Sequence, residues 1–172
     1  GAKPKRTILF IGFAGEEFGL LGAQAWVKAH KDKLPKIANL FNRDGGPEPP
    51  VGISVPQAMY DDFVKISEPI QKIRPDYRFE VKVREPRKRP TRMGGTDASV
   101  FAIEGVPTLG FTTEDFKGYD FDYGEIWHTE RDLYTKNIPE YQEHTATVTA
   151  IIALGVANLD KQLSREGLYT EE

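Results

Sequence analysis

The chain has 172 residues, 39% of them hydrophobic, enough to bury one core, so a single domain over 1–172 is expected. A formal net charge of −3 gives no general attraction to nucleic acid or to an anionic membrane surface. With no cysteine, thiolate metal sites, disulfides and cysteine nucleophiles are excluded, and no apolar stretch is long enough to span a bilayer.

Thr7–Phe13 (TILFIGF) is a nearly unbroken apolar run rich in β-branched and aromatic residues, a composition that predicts a strand buried on both faces of a sheet. Ala14 and Gly15 end it, and the adjacent carboxylates Glu16 and Glu17 follow. Leu20–His30 is predicted as a helix, closed by Lys31-Asp32-Lys33 and Pro35. Ile37–Phe41 is predicted as a second buried strand, parallel to the first through a right-handed crossover, with Asn42-Arg43-Asp44-Gly45-Gly46 at its end. Gly45–Gly52 reads as a loop, Tyr60–Ile73 as a helix, and Arg78–Val83 as a half-exposed or edge strand. The basic stretch Arg84–Arg92, with three prolines, predicts a solvated loop. A short helix Ala98–Ile103 capped by Thr96 or Asp97 follows, then a buried strand Val106–Phe111 and a long aromatic loop, Thr112–Trp127. The last helix starts near Pro139 and runs to about Leu163, with a buried stripe of Val148, Ile151, Ile152, Gly155 and Leu159.

In an open α/β sheet, ligands gather outside the carboxyl ends of the strands. Glu16, Glu17 and Asp44 follow predicted strands, and His128 lies in the loop beyond another. Carboxylates and imidazole suit zinc, so Glu17, Asp44 and His128 are the expected metal ligands. Glu16, one residue from a ligand, is placed to take a proton from a metal-activated water and return it to a leaving amine. The alternative for the Glu pair is an ordinary first turn of a helix, favoured by the helix dipole. His30 and His144 fall within helical patterns and are expected to be surface or packing residues.

Four blocks in order, TILFIGFAGEEFGLLGA, NRDGG, GGTDASVFAIEGVPTLGF and WHTERDLYTKNIPE, resemble the co-catalytic zinc exopeptidases of the M28 family. The resemblance runs from Arg6 to about Leu163 and is nearest to the aminopeptidase and plasma-glutamate-carboxypeptidase types. It implies a three-layer α/β/α sandwich with a mixed, mainly parallel sheet, and two zinc ions acting on a terminal peptide bond of a peptide substrate. It implies Glu16 as general base, Glu17 and His128 on one metal and Asp44 on the second, with Asp97 and Asp132 structural or substrate-proximal. The family site also uses an upstream histidine and a metal-bridging aspartate, which residues before Arg6 do not supply. The expectation is therefore the carboxyl-terminal portion of a catalytic domain, inactive alone, whose partners are the amino-terminal piece of the same domain or a second copy of the chain. Secretion or a periplasmic location is what the resemblance suggests. Glutaminyl cyclisation with one zinc, or a scaffold without metal, are the competing functions.

Overall fold

The computed structural model describes residues 3–170. Its ladder is a three-stranded sheet in the order β2–β1–β3, formed by β1 (Pro50–Val55), β2 (Glu80–Val83) and β3 (Phe111–Thr113). β1 runs parallel to β2, with Gly52 opposite Glu80 and Val55 opposite Val83, and antiparallel to β3, with Ile53 opposite Phe111. The α/β class and the mixed sheet therefore stand as expected.

The central strand falls where the sequence predicts a loop. Val51, Ile53 and Val55 alternate along it and are buried, and Pro50 opens it where no amide is needed. Gly52 is required by its neighbour: a Cβ there would lie 2.5 Å from the Glu80 carbonyl oxygen. The pair of prolines and the glycine look like turn residues in the sequence, yet here they start a strand and admit a close one.

Two predicted strands enter no ladder among the described residues. Thr7–Phe13 joins no ladder among the described residues, and Leu9, Phe10 and Ile11 are exposed, Phe10 by 93%. Its expected burial on both faces fails because no strand stands beside it among those residues; the apolar run predicts conformation, and pairing needs a neighbour. Ile37–Phe41 is half-buried and is held by single bonds instead of a ladder. The Leu40 amide donates to the Pro107 carbonyl at 2.9 Å, while Asn39 exchanges side-chain bonds with the Leu109 backbone. The expected parallel crossover pair of these two segments is thus replaced by the parallel pair β1–β2. Of Val106–Phe111, only Phe111 enters the sheet, although Val106 and Leu109 are buried.

The helices follow their apolar spacing closely. They are α1 (Leu21–Ala29), α2 (Tyr60–Ile73), α3 (Ala98–Ile103), α4 (Tyr123–Ile126, inside the predicted aromatic loop) and α5 (Pro139–Asn158). α5 stops at Asn158, short of the expected Leu163, although Leu163 itself is buried beyond its end. Within its stripe Val148 and Ile152 are fully buried, whereas Ile151 and Leu159 are half-buried at the margin. Neither expected side-chain cap forms at α3: Asp97 makes no capping bond, and Ser99 instead donates to the Thr96 carbonyl.

One core lies where α2 and α5 meet the sheet, built from Ile53, Val55, Phe63, Ile70, Val148, Ile152 and their neighbours. A second lies between α1 and α3, from Ala23, Val27, Val100, Phe101 and Val106, with Phe13 packed at its edge. The basic stretch is more anchored than predicted. Arg84 donates to the Leu168 carbonyl, Arg87 to Thr108 Oγ1 and Arg89 to the Ile103 carbonyl at the end of α3. The Arg89 guanidinium thus serves a carbonyl at a helix terminus.

Candidate functional site

The segment after Phe13 makes a tight turn before α1. The Glu16 carbonyl accepts from the amides of Gly19 and Leu20, at 3.0 and 2.9 Å, and Leu20 sits in the left-handed region at φ 60°. Gly22, in the first turn of α1, donates to the Ala14 carbonyl at 2.8 Å; a Cβ at Gly22 would stand 2.6 Å from that oxygen. Helix and turn are therefore locked backbone to backbone. That arrangement holds the two glutamates at the mouth of one cleft.

The cleft has a volume of about 1250 Å³ and brings together Glu16, Glu17, Asp44, His128 and Asp132, with Tyr123, Trp127 and Tyr134 on its rim. Three chain segments far apart in sequence, at residues 16–17, 44 and 123–134, meet there. His128 follows α4 and occupies the left-handed region at φ 56°, an uncommon place for a residue with a side chain. Thr129 braces that turn, its amide bonding the Ile126 carbonyl and its hydroxyl the Glu125 carbonyl. His128 Nε2 lies 3.1 Å from Glu17 Oε1, both exposed to solvent.

The charge balance around Glu16 is unfavourable to its ionised form. Its pKa is raised, first by desolvation and then by Glu17, Asp44 and Asp97, with His128 opposing. Asp97 is raised as well, by burial and then by Asp44. Its Oδ1 is buried without a hydrogen-bond partner. Asp97 therefore belongs to the same electrostatic cluster, while Asp132 lines the cleft wall. A carboxylate with a raised pKa is a better proton acceptor than an ordinary one.

Carboxylates and an imidazole are donors of the kind that zinc takes. The donor type fits, but the count does not close: among the described residues no group of three or more His, Asp or Glu side chains converges on a metal position. Glu17 and His128 form a pair, and Asp44 is an exposed neighbour.

The two other histidines pack as expected. His30 stacks on Trp26 at 4.4 Å, and buried His144 stacks on Tyr77 at 3.8 Å with Nε2 bonded to the Pro50 carbonyl. Arg43, Lys136 and Tyr134 also line the cleft and were not singled out in the sequence. Arg43 stands next to Asp44, and Lys136 and Tyr134 lie inside the His-Thr block, so proximity to a predicted ligand was the signal available.

Comparison with known proteins bears on this arrangement. The family model of peptidase family M28 matches residues 1–152. Carboxypeptidase Q of Mus musculus is 24% identical over 170 residues, which are 96% of this chain and 32% of that protein. A probable zinc metalloprotease of Pyrenophora tritici-repentis is 50% identical over 42 residues, 24% of this chain and 10% of that protein. Among solved structures, the peptidase M28 precursor of Shewanella amazonensis aligns with a TM-score of 0.70 and 26% identity, covering 95% of this chain and 34% of its own. The chain thus spans about a third of the length of the curated carboxypeptidase Q relatives it matches. With the family match extending over most of the sequence, the chain belongs to peptidase family M28.

Proposed function

We propose that this chain contributes the proton-transfer group and part of the zinc-binding set of an exopeptidase. The observation that carries the reading is the raised pKa of Glu16 in a cleft where Glu17 and His128 stand paired. Glu17 and His128 would hold one zinc ion and Asp44 a second. Held there, zinc would lower the pKa of a bound water to about 7. Glu16 accepts a proton on its carboxylate and hands it to the leaving amine nitrogen. Asp97 acts on this site by charge, Asp132 lines its wall, and neither is assigned as a ligand.

Asp132, the cleft carboxylate assigned neither to zinc nor to proton transfer, favours the ammonium end of a peptide, which supports an aminopeptidase. The cleft's two stable cations are already engaged, Arg43 on backbone carbonyls and Lys136 on Glu125 at 2.9 Å. Carboxypeptidase Q carries the opposite end in its name, so the choice is tested directly. Turnover of an aminoacyl-p-nitroanilide, with none of an N-acetyl dipeptide, supports the aminopeptidase; the reverse overturns it.

Exposed Leu9, Phe10 and Ile11 form the edge that a further part of the catalytic domain covers. The chain alone is accordingly expected to hydrolyse poorly, and an extracytoplasmic setting goes with the family reading. Among the described residues no helix is long and apolar enough to cross a membrane. The roles of the two glutamates are tested by zinc content and turnover. In the catalytic domain completed by its covering part, Glu16→Gln should keep the zinc and lose roughly 10²- to 10⁴-fold in kcat, whereas Glu17→Gln should lose zinc. Equal zinc loss in both variants overturns the assignment.

A further inference from the structure

Arg43 precedes Asp44, and its side chain turns back over the loop that carries that carboxylate. Its Nη2 donates to the carbonyls of Gly46 and Glu48, the latter at 2.7 Å. A Cβ on Gly45 would lie 3.8 Å from Arg43 Nη1, so the backbone passes around the guanidinium. Glu48 is in turn fixed to the sheet, its Oε2 accepting from Thr113 Oγ1 of β3 at 3.2 Å, and β1 begins two residues later. The far side of the loop meets an aromatic wall. A Cβ on Gly46 would stand 2.8 Å from Phe121 Cε1 and 2.9 Å from Tyr123 Cδ2.

Loops earn a defined geometry only when their backbone polar groups are satisfied. Here one cation satisfies two carbonyls while a glycine admits the aromatic rings, and Asp44 lies with Gly45 between the clamp's own Cα and its nearer target, Gly46. We propose that Arg43 is a positioning residue for Asp44: its guanidinium clamps the Asp44–Glu48 turn to the start of the central strand and fixes the direction in which Asp44 faces the cleft. The inference rests on reading Asp44 as a zinc ligand. Outer partners of metal ligands change affinity by about 10- to 100-fold when removed, because they set the ligand's orientation before the ion arrives.

The test uses the chain itself, with zinc alone as probe in competition with a chromophoric chelator, and amide NMR of the metal-free protein. Arg43→Met keeps the length of the side chain and removes its donors. It should move or broaden the resonances of Asp44, Gly45 and Gly46, lower zinc affinity by roughly tenfold and leave the thermal midpoint unchanged. Arg43→Lys should restore part of the affinity, and Arg87→Met, whose guanidinium bonds Thr108 and no carbonyl of the turn, should do neither. Gly46→Ala, which pushes the same turn from the aromatic side, should shift the Asp44 and Gly45 resonances and lower zinc affinity likewise, and serves if Arg43→Met folds poorly. Once Asp44→Asn is present, adding Arg43→Met should cost no further affinity. Unmoved Asp44 and Gly45 resonances in Arg43→Met overturn the proposal, whatever zinc does. If Asp44→Asn weakens zinc and Arg43→Met does not, the clamp falls and the ligand stands. If Asp44→Asn binds as many zinc ions, and as tightly, as the unsubstituted chain in a Glu17→Gln background that silences the first position, the ligand assignment falls and this inference falls with it.

Discussion

Two walls of the molecule use the same residue types in opposite ways. Against α5, Glu140 accepts from Tyr77 at 3.1 Å, from Tyr119 at 2.6 Å and from Lys117. Tyr141 donates to Asp115 at 2.6 Å and accepts from the Lys117 amide at 2.7 Å. Glu140 is held down to about 2, first by the bond from Lys117 and then by Tyr119; burial and the Glu140 bond push Tyr77 up to about 12. In the cleft the carboxylates face one another, and Glu16 is raised by desolvation and its acidic neighbours. The first wall pairs every carboxylate it gathers and gains rigidity from doing so. The second leaves mutual repulsion that an arriving cation relieves, the signature of a site built to bind or react.

The contrast is broken most strongly from the packed side. Ile152→Ala, in the fully buried stripe of α5, should cost about 2 to 5 kcal/mol in urea unfolding; an effect within noise would mean that the α2–α5 core is not what holds the fold. Gly155→Ala comes next. Its new methyl would stand 2.6 Å from Ile66 Cβ on α2, so the helices must part, at about 1 to 3 kcal/mol. Preserved stability would show that α2 and α5 can separate freely.

Smaller effects sharpen the electrostatic half. A depressed carboxylate contributes stability that is present above its unfolded value of 4.5 and lost as the pH falls towards about 2. Glu140→Gln should therefore flatten the acid limb of the urea midpoint over that window and leave its shape above it unchanged. For Glu16 the sign reverses. A raised carboxyl favours the protonated fold, so ionisation above its folded value costs stability, and that cost vanishes below the unfolded value of 4.5. Glu16→Gln should accordingly raise the midpoint of the zinc-free chain slightly at neutral pH and leave it unmoved in acid. A lowered midpoint at neutral pH would mean that Glu16 is paired after all.

Much of this was legible in the residues. The spacing of Phe63, Ile66, Ile70 and Ile73 gave α2 its bounds, because a helix needs only its own periodicity to be seen. Arg78–Val83 was legible as an edge because it alternates, and β2 lies at one end of the sheet. β1 was hidden by Pro49, Pro50 and Gly52, whose local meaning is a turn; the alternation of Val51, Ile53 and Val55 was the overlooked signal. Thr7–Phe13 failed in the other direction, since apolar composition cannot report whether a neighbouring strand is present. At the site, Glu16, Glu17, Asp44 and His128 do reach one cleft. What the sequence could not carry is orientation: the return of Arg43 onto its own loop and the left-handed backbone at His128 are properties of three-dimensional closure.

The unladdered segment from Thr7 to Phe13 has a consequence for hydrogen exchange. Among the described residues its amides bond to no other part of the backbone, whereas those of β1 lie inside a sheet with a partner on each side. The segment should lose its label at rates close to those of an unfolded peptide while β1 exchanges only through larger openings. Seven consecutive residues then form a silent background on which any covering strand writes its own register. Alternate amides will slow if one edge of the segment is paired, and the phase of that alternation will tell which.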